Sequence, residues 1–104
     1  MRYESNKLIA GHYGFRHQAM KTADECSELA VALCKLVEGE GGRTAVIEKM
    51  ADVIILLRQM QYLMRIDPKR LATCIEKKIS QQLMRIQNEP LDKSKNRPII
   101  RNQT

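Results

Sequence analysis

The stretch "LAVALCKLVEGEGGRTAVIEKMADVIILL", residues 29–57, places two apolar segments on either side of a glycine-rich break. The break "EGEGG", residues 38–42, predicts the end of a helix, because glycine commonly follows the last helical turn. The segment after it keeps apolar residues at helical spacing as far as Met64, which is too long for one strand. Two helices joined by a short loop pack as antiparallel neighbours. The stretch therefore predicts an antiparallel pair of long helices.

The composition extends this prediction to the whole chain. Its 104 residues are 43% hydrophobic but only 4% aromatic, with six methionines and no tryptophan. Such aliphatic residues are typical of contacts between helices, whereas strand-rich domains use more aromatic and β-branched residues. A chain of this length forms one domain. We predict an all-α helical bundle in residues 1–89 and a basic, mobile tail in residues 90–104.

Breakers and caps set the limits of the first two helices. A short helix is expected to end at Gly11, followed by a turn at "GHYG". The first long helix is expected from Phe15 to a stop near Gly39. Its apolar stripe runs through Ala19 and Val37 and is widened by Leu29, Leu33 and Leu36. Thr44 is the expected N-cap of the second helix.

The third helix begins at "DPKR", with Asp67 as the expected N-cap and Pro68 at the first helical position. Pro90 is expected to end it. In the second helix, the five successive apolar residues 53–57 point to all sides and need cover on more than one side. We therefore expect a homo-oligomer, a dimer or a tetramer, with the second helix near the interface.

The chain contains no apolar run near the roughly 20 residues of a membrane span and no signal-peptide pattern. Three cysteines without a CxxC pair are expected to be small buried thiols in a reducing compartment. These observations favour a cytoplasmic protein that does not enter a membrane.

Acidic residues are concentrated in residues 24–52, which carry seven acids and three bases in a chain of net charge +6. At roughly 100° per residue, Asp24, Glu25 and Glu28 fall within one arc of about 100°. Glu48 and Asp52 lie one turn apart on the next helix, so both patches can face the same gap. Massed carboxylates need a neutralising partner, and Mg²⁺ prefers oxygen ligands.

Two other interpretations stay open at this point. "TADE" matches a capping box, with Thr22 as N-cap and Glu25 reaching back to it. The acids also fit a solvated acidic helix face.

"DECSELAVALCKL" followed by "IEKMADVIILLRQM" resembles the paired acidic motifs of the MazG-like, all-α nucleoside triphosphate pyrophosphohydrolases. The resemblance covers roughly residues 15–86. It implies a helical bundle that acts as a dimer or tetramer. It also implies Mg²⁺-dependent cleavage of a (d)NTP between the α and β phosphates, giving a nucleoside monophosphate and pyrophosphate.

The resemblance makes Glu25, Glu28 and Asp52 the metal-binding residues. Lys49 stands where the family has the Glu of its second motif, and Glu48 is then a substitute ligand. Asp24 stands where the family usually has its first Glu, and Asp24 or Glu48 is a candidate for orienting or deprotonating the attacking water.

The candidate substrate-binding residues are basic or amide side chains, namely Gln18, Lys21, Lys77 and Lys78. Two alternatives compete with the enzyme. One is a catalytically weakened relative that binds a nucleotide or a protein partner without turnover, which Lys49 favours. The other is a nucleic-acid-binding protein that uses the basic tail, although few aromatic residues and no groove-reading motif support it.

Overall fold

A computed structural model describes residues 3–89, and these residues contain three α-helices and no strand. The helices are α1 (Tyr3–Val37), α2 (Arg43–Leu63) and α3 (Pro68–Gln87). The predicted all-α class is therefore confirmed. The described residues fall into two compact units, with α1 and α2 in the first and α3 in the second.

Helix α1 starts much earlier than predicted and is kinked at Gly14, whose φ of 85° and ψ of 170° are not helical. The predicted helix end at Gly11 is wrong, because the chain remains helical through Gly11 and resumes the helix directly after Gly14. The predicted stop near Gly39 is confirmed. Gly39 has a φ of 76° and its N–H donates to the Leu36 carbonyl over 3.1 Å.

Helix α2 is capped by Gly42, not by Thr44 as predicted. Gly42 adopts the extended conformation that precedes a helix, and no side chain accepts a cap hydrogen bond from the first turn. Thr44 already lies inside the helix. The backbone conformation of the glycine-rich loop, and not a side-chain cap, therefore sets the start of α2.

Helices α1 and α2 pack antiparallel. Gln18, near the middle of α1, contacts Gln59 late in α2, whereas Glu28, further along α1, contacts Lys49 nearer the loop. Along the α1 face that lies toward α2, buried or half-buried residues recur at alternating intervals of four and three residues. Its buried or half-buried residues are Gln18, Thr22, Glu25, Leu29, Ala32 and Leu36.

This face contains Leu29 and Leu36 of the predicted α1 stripe but not Phe15, Leu33 or Val37. Phe15 and Val37, which belong to that stripe, are 53% and 69% exposed. Spacing alone fitted two faces of α1 and did not show which of them packs against α2.

Helix α3 is capped as predicted. Asp67 Oδ1 accepts a hydrogen bond of 3.0 Å from the Lys69 N–H, and Pro68 is the first helical residue. The helix ends at Gln87, and none of its residues is buried. Pro90 and the predicted tail, residues 90–104, lie outside the described residues.

Few large apolar side chains are buried in the described chain. The buried hydrophobic residues are Ala10, Val46, Val53 and Leu56. Helix α2 also carries a second apolar row, here called the outer stripe, which is 43–52% exposed and consists of Ile47, Met50, Ile54 and Leu57. Helix α2 is thus apolar on two sides, and one of them packs against α1.

Cys26, Cys34 and Cys74 are free and exposed, so the prediction of buried thiols is wrong for this chain. Cys26 and Cys34 lie off the α1 face that packs against α2, and Cys74 lies on α3, which buries nothing. None of the described helices has an apolar stretch long enough to cross a bilayer.

Candidate functional site

The acidic patches of α1 and α2 meet near the loop end of the helix pair. Glu25 and Glu28 lie on α1, and Asp52 lies on α2, one turn after Lys49. Because the helices are antiparallel and joined by a short loop, these positions face each other. The ammonium of Lys49 lies among the three carboxylates. We refer to Glu25, Glu28, Lys49 and Asp52 as the acid–lysine cluster.

The distances within the cluster centre on one atom, Lys49 Nζ. It donates a hydrogen bond of 2.9 Å to Glu28 Oε1. The same nitrogen lies 3.5 Å from Glu25 Oε2 and 3.8 Å from Asp52 Oδ2. A second ammonium, that of Lys21, lies 3.8 Å from Glu25 Oε1. One lysine therefore neutralises carboxylates from both helices, and a second approaches Glu25 from the other side.

Glu25 is the most buried member of the cluster, so its charge is the most costly to leave without a partner. It is 8% exposed, and its Oε2 atom is buried without a hydrogen-bond partner. A buried carboxylate is costly unless charge nearby compensates it. Lys49 Nζ supplies that charge from 3.5 Å. The Glu28 and Asp52 side chains are about half exposed and reach the same nitrogen from the solvent side.

The contact between Glu28 and Lys49 keeps both groups ionised. The hydrogen bond from Lys49, helped by its charge, holds the pKa of Glu28 below the ordinary value of 4.5. The hydrogen bond to Glu28 raises the pKa of Lys49 above 10.5, against a smaller opposing effect of burial. At neutral pH the contact is thus an ion pair.

The other predicted acids lie outside the cluster. Asp24 and Glu48 are both exposed, and within residues 3–89 neither makes an ion pair with Lys49. Lys77 and Lys78 are exposed on α3 in the second unit. The structure therefore brings together Glu25, Glu28 and Asp52 from the predicted set, with Lys21 beside Glu25.

Gln18, a predicted substrate-binding residue, is 4% exposed and lies in the α1–α2 interface. Its Nε2 donates to Gln59 Oε1 over 2.6 Å, and Gln59 Nε2 donates to Asn6 Oδ1 over 3.3 Å. His17 Nδ1 lies 2.6 Å from Gln18 Oε1. The amide of Gln18 is thus held by other side chains.

Asn6 and Gln59 were not predicted from the sequence. The signal that points to Gln59 is its position among the apolar residues of α2 that face α1, where an unpaired amide is costly. A buried amide there requires a partner from α1, and Gln18 is the amide at the matching position.

A cavity of about 360 Å³ adjoins the cluster. Its charged lining residues are Lys35, Lys49 and Glu28. Its remaining walls are small or apolar, formed by Ser27, Val31, Ala32, Gly41 and Ala45. The volume lies within the range of small-ligand pockets.

In this arrangement the three carboxylates surround the ammonium of Lys49 and leave no open position between them. Mg²⁺ takes oxygen ligands at roughly 2.0–2.1 Å, whereas these carboxylates are arranged around an ammonium at 2.9–3.8 Å. Within the part of the chain that the structure describes, no group of three His, Cys, Asp or Glu residues is placed to hold a metal ion. We therefore assign no step to Mg²⁺.

The chain matches no protein-family model, no curated protein and no solved structure.

Proposed function

We propose that this chain binds a nucleoside triphosphate and has weakened or no turnover, as a helical protein of the MazG-like pyrophosphohydrolase type. The observation that carries this proposal is the acid–lysine cluster. Carboxylates from both acidic motifs converge on one point beside a cavity, and that point holds Lys49 Nζ. The convergence of the carboxylates supports a site of the pyrophosphohydrolase type. The Lys49 ammonium at its centre supports the loss of turnover.

The cavity beside the cluster offers contacts that suit phosphate groups. Lys35 and Lys49 line it, and Ala45 from the first turn of α2 forms part of its wall. The N-cap residue Gly42 gives this first turn no side-chain cap, and the N-terminus of a helix attracts anions. The apolar walls at Val31 and Ala32 suit a sugar or a base.

A nucleotide panel tests this proposal. Isothermal titration of (d)NTPs, with and without Mg²⁺, should show saturable binding of at least one nucleotide. Pyrophosphate release measured on the same samples should stay at the buffer level. Lys35→Met should weaken binding, whereas Lys69→Met, a change at the start of α3, should not. Absence of binding across the panel would contradict the proposal.

The second candidate is the active enzyme that the resemblance implies, with Mg²⁺ as its cofactor. The observation that favours it is that Glu25, Glu28 and Asp52 lie on the same side of the helix pair. Pyrophosphate release from a (d)NTP by the wild-type chain, lost in Glu28→Gln without loss of helicity, would select this candidate over binding alone.

We also propose that the chain is a subunit of a homo-oligomer. The outer stripe of α2 supports this, because four large apolar side chains at helical spacing are exposed in a single chain. A stripe of this kind is typical of helix faces that pack against another helix. A second copy would supply the cover that one helix pair lacks.

A cytoplasmic location is part of the same proposal. The three cysteines are free and exposed. Exposed unpaired thiols are typical of a reducing compartment.

A further inference from the structure

Lys49 and Glu25 together define a cation position inside the helix pair. Glu25 is 8% exposed as a residue and 11% exposed at its side chain, and its buried Oε2 atom lacks a hydrogen bond and lies 3.5 Å from Lys49 Nζ. Glu28 and Asp52 approach the same nitrogen from other directions. Three carboxylates therefore surround a single positive group supplied by the chain itself.

The charges explain why this cation matters. The three carboxylates carry three negative charges, and Lys49 and Lys21 supply two positive ones. The cluster is thus nearly neutral without any bound ion. A divalent ion would have to displace Lys49 from all three carboxylates, and it would then lie near the displaced ammonium, where like charges repel.

We propose that Lys49 is the resident cation of this cluster, so that the wild-type protein holds no divalent metal ion there and Lys49 keeps such ions out. Exchange of Lys49 for a neutral side chain leaves three carboxylates and Lys21, with a net charge of −2 that attracts a divalent ion. The inference concerns the free protein and goes beyond the proposed nucleotide binding. Its test contains no nucleotide, so the two proposals can fail separately.

Manganese binding tests this inference, because free Mn²⁺ gives an electron paramagnetic resonance signal that decreases on binding. We compare the wild-type chain with Lys49→Met and with Lys35→Met. The matched control removes a lysine that lines the same cavity but makes no ion pair with the cluster. Lys49→Met should bind one Mn²⁺ per chain about tenfold or more tighter than the other two proteins. Glu28→Gln added to Lys49→Met should reverse most of this gain.

Thermal unfolding in EDTA and in Mn²⁺ provides a second measurement that remains informative if Lys49→Met folds poorly. The wild-type melting temperature should be the same in both solutions, since no site is filled. Lys49→Met should melt lower in EDTA and recover in Mn²⁺. One tight Mn²⁺ per wild-type chain, or a folded Lys49→Met that binds no more Mn²⁺ than the control, would overturn the inference.

Discussion

Lys49 forms ion pairs with acids of both motifs. Its contact with Glu28 should make the stability of the folded chain depend on pH. The folded-state pKa of Glu28 is lowered from 4.5, so its contribution is present above that value and is lost as the pH falls through the lowered pKa. The folded-state pKa of Lys49 is raised from 10.5, so its contribution is present below 10.5 and is lost as the pH rises through the raised pKa.

We therefore expect the wild-type melting temperature to fall more steeply than that of Glu28→Gln when the pH is lowered below 4.5. Circular dichroism melts across the acid range measure this difference. Glu48→Gln is the control, because Glu48 is exposed on the same helix as Lys49 and makes no ion pair with it. Parallel pH profiles for the wild type and Glu28→Gln would show that the pair does not contribute to stability.

Gly14 provides a second prediction at a single residue. Its φ of 85° with ψ of 170° is a conformation that L-residues rarely adopt, and a Cβ placed there would meet nothing within 4 Å. Gly14→Ala should therefore destabilise the chain through backbone strain alone, by about 1–3 kcal/mol. Gly11→Ala is the matched control. It lies in the same helix with equal space and should stabilise by about 0.5–1 kcal/mol. Chemical denaturation measures the free energy of unfolding of both variants. Equal changes in the two variants would contradict backbone strain at residue 14.

At the scale of elements, the buried amides fix how α1 and α2 are paired. Gln59 is 2% exposed and bonds to both Gln18 and Asn6. Gln59→Leu should destabilise the pair by about 1–3 kcal/mol, because it leaves buried polar groups unsatisfied. Gln18→Leu combined with Gln59→Leu should recover part of this loss. A double-mutant cycle from urea unfolding measures the coupling, and strict additivity would show that the two amides do not depend on each other.

The helices themselves could be predicted from the sequence because their signals are local. The glycine run after Val37 and the Asp67–Pro68 start of α3 act through the backbone within a few residues. The continuous α1 could not be predicted in the same way. Gly11 and Gly14 look alike as breakers, and only the folded chain shows that one is helical and the other is a kink.

The sequence predicted only part of the candidate site, because helical spacing is local and the packing of the two helices is not. Helical spacing puts Asp24, Glu25 and Glu28 in one arc of about 100°, but it does not say which edge of that arc faces α2. The α1–α2 packing buries Glu25 and leaves Asp24 exposed. On α2, Lys49 contacts Glu25 and Glu28 of α1, and Asp52 contacts Lys49, whereas Glu48 is exposed. How each helix is rotated about its axis against the other decides this selection, and that rotation is not a local property of the sequence.

At the scale of the whole molecule, the described chain buries too little apolar surface for its length. Four hydrophobic residues are buried, and the contact between α1 and α2 also contains the amides and the acid–lysine cluster. Polar contacts of this kind specify which surfaces meet, but the apolar contribution that stabilises small domains must come from elsewhere. Exposed apolar surface is present on the outer stripe of α2 and also on α3, where Leu71, Ile75, Ile79 and Leu83 are 37–57% exposed.

Self-association through the outer stripe can be tested by one charge on α2. Ile54 is 43% exposed in the middle of the stripe, and Ile54→Lys would place an ammonium in the interface. The mass from size-exclusion chromatography with light scattering should then fall from an oligomer to a single chain. Ile55→Lys is the matched control, since Ile55 is 40% exposed but lies about 100° around the helix from Ile54. Ile55→Lys should keep the wild-type mass. A monomeric wild type would refute self-association, and equal dissociation of both variants would show that the outer stripe is not the specific contact.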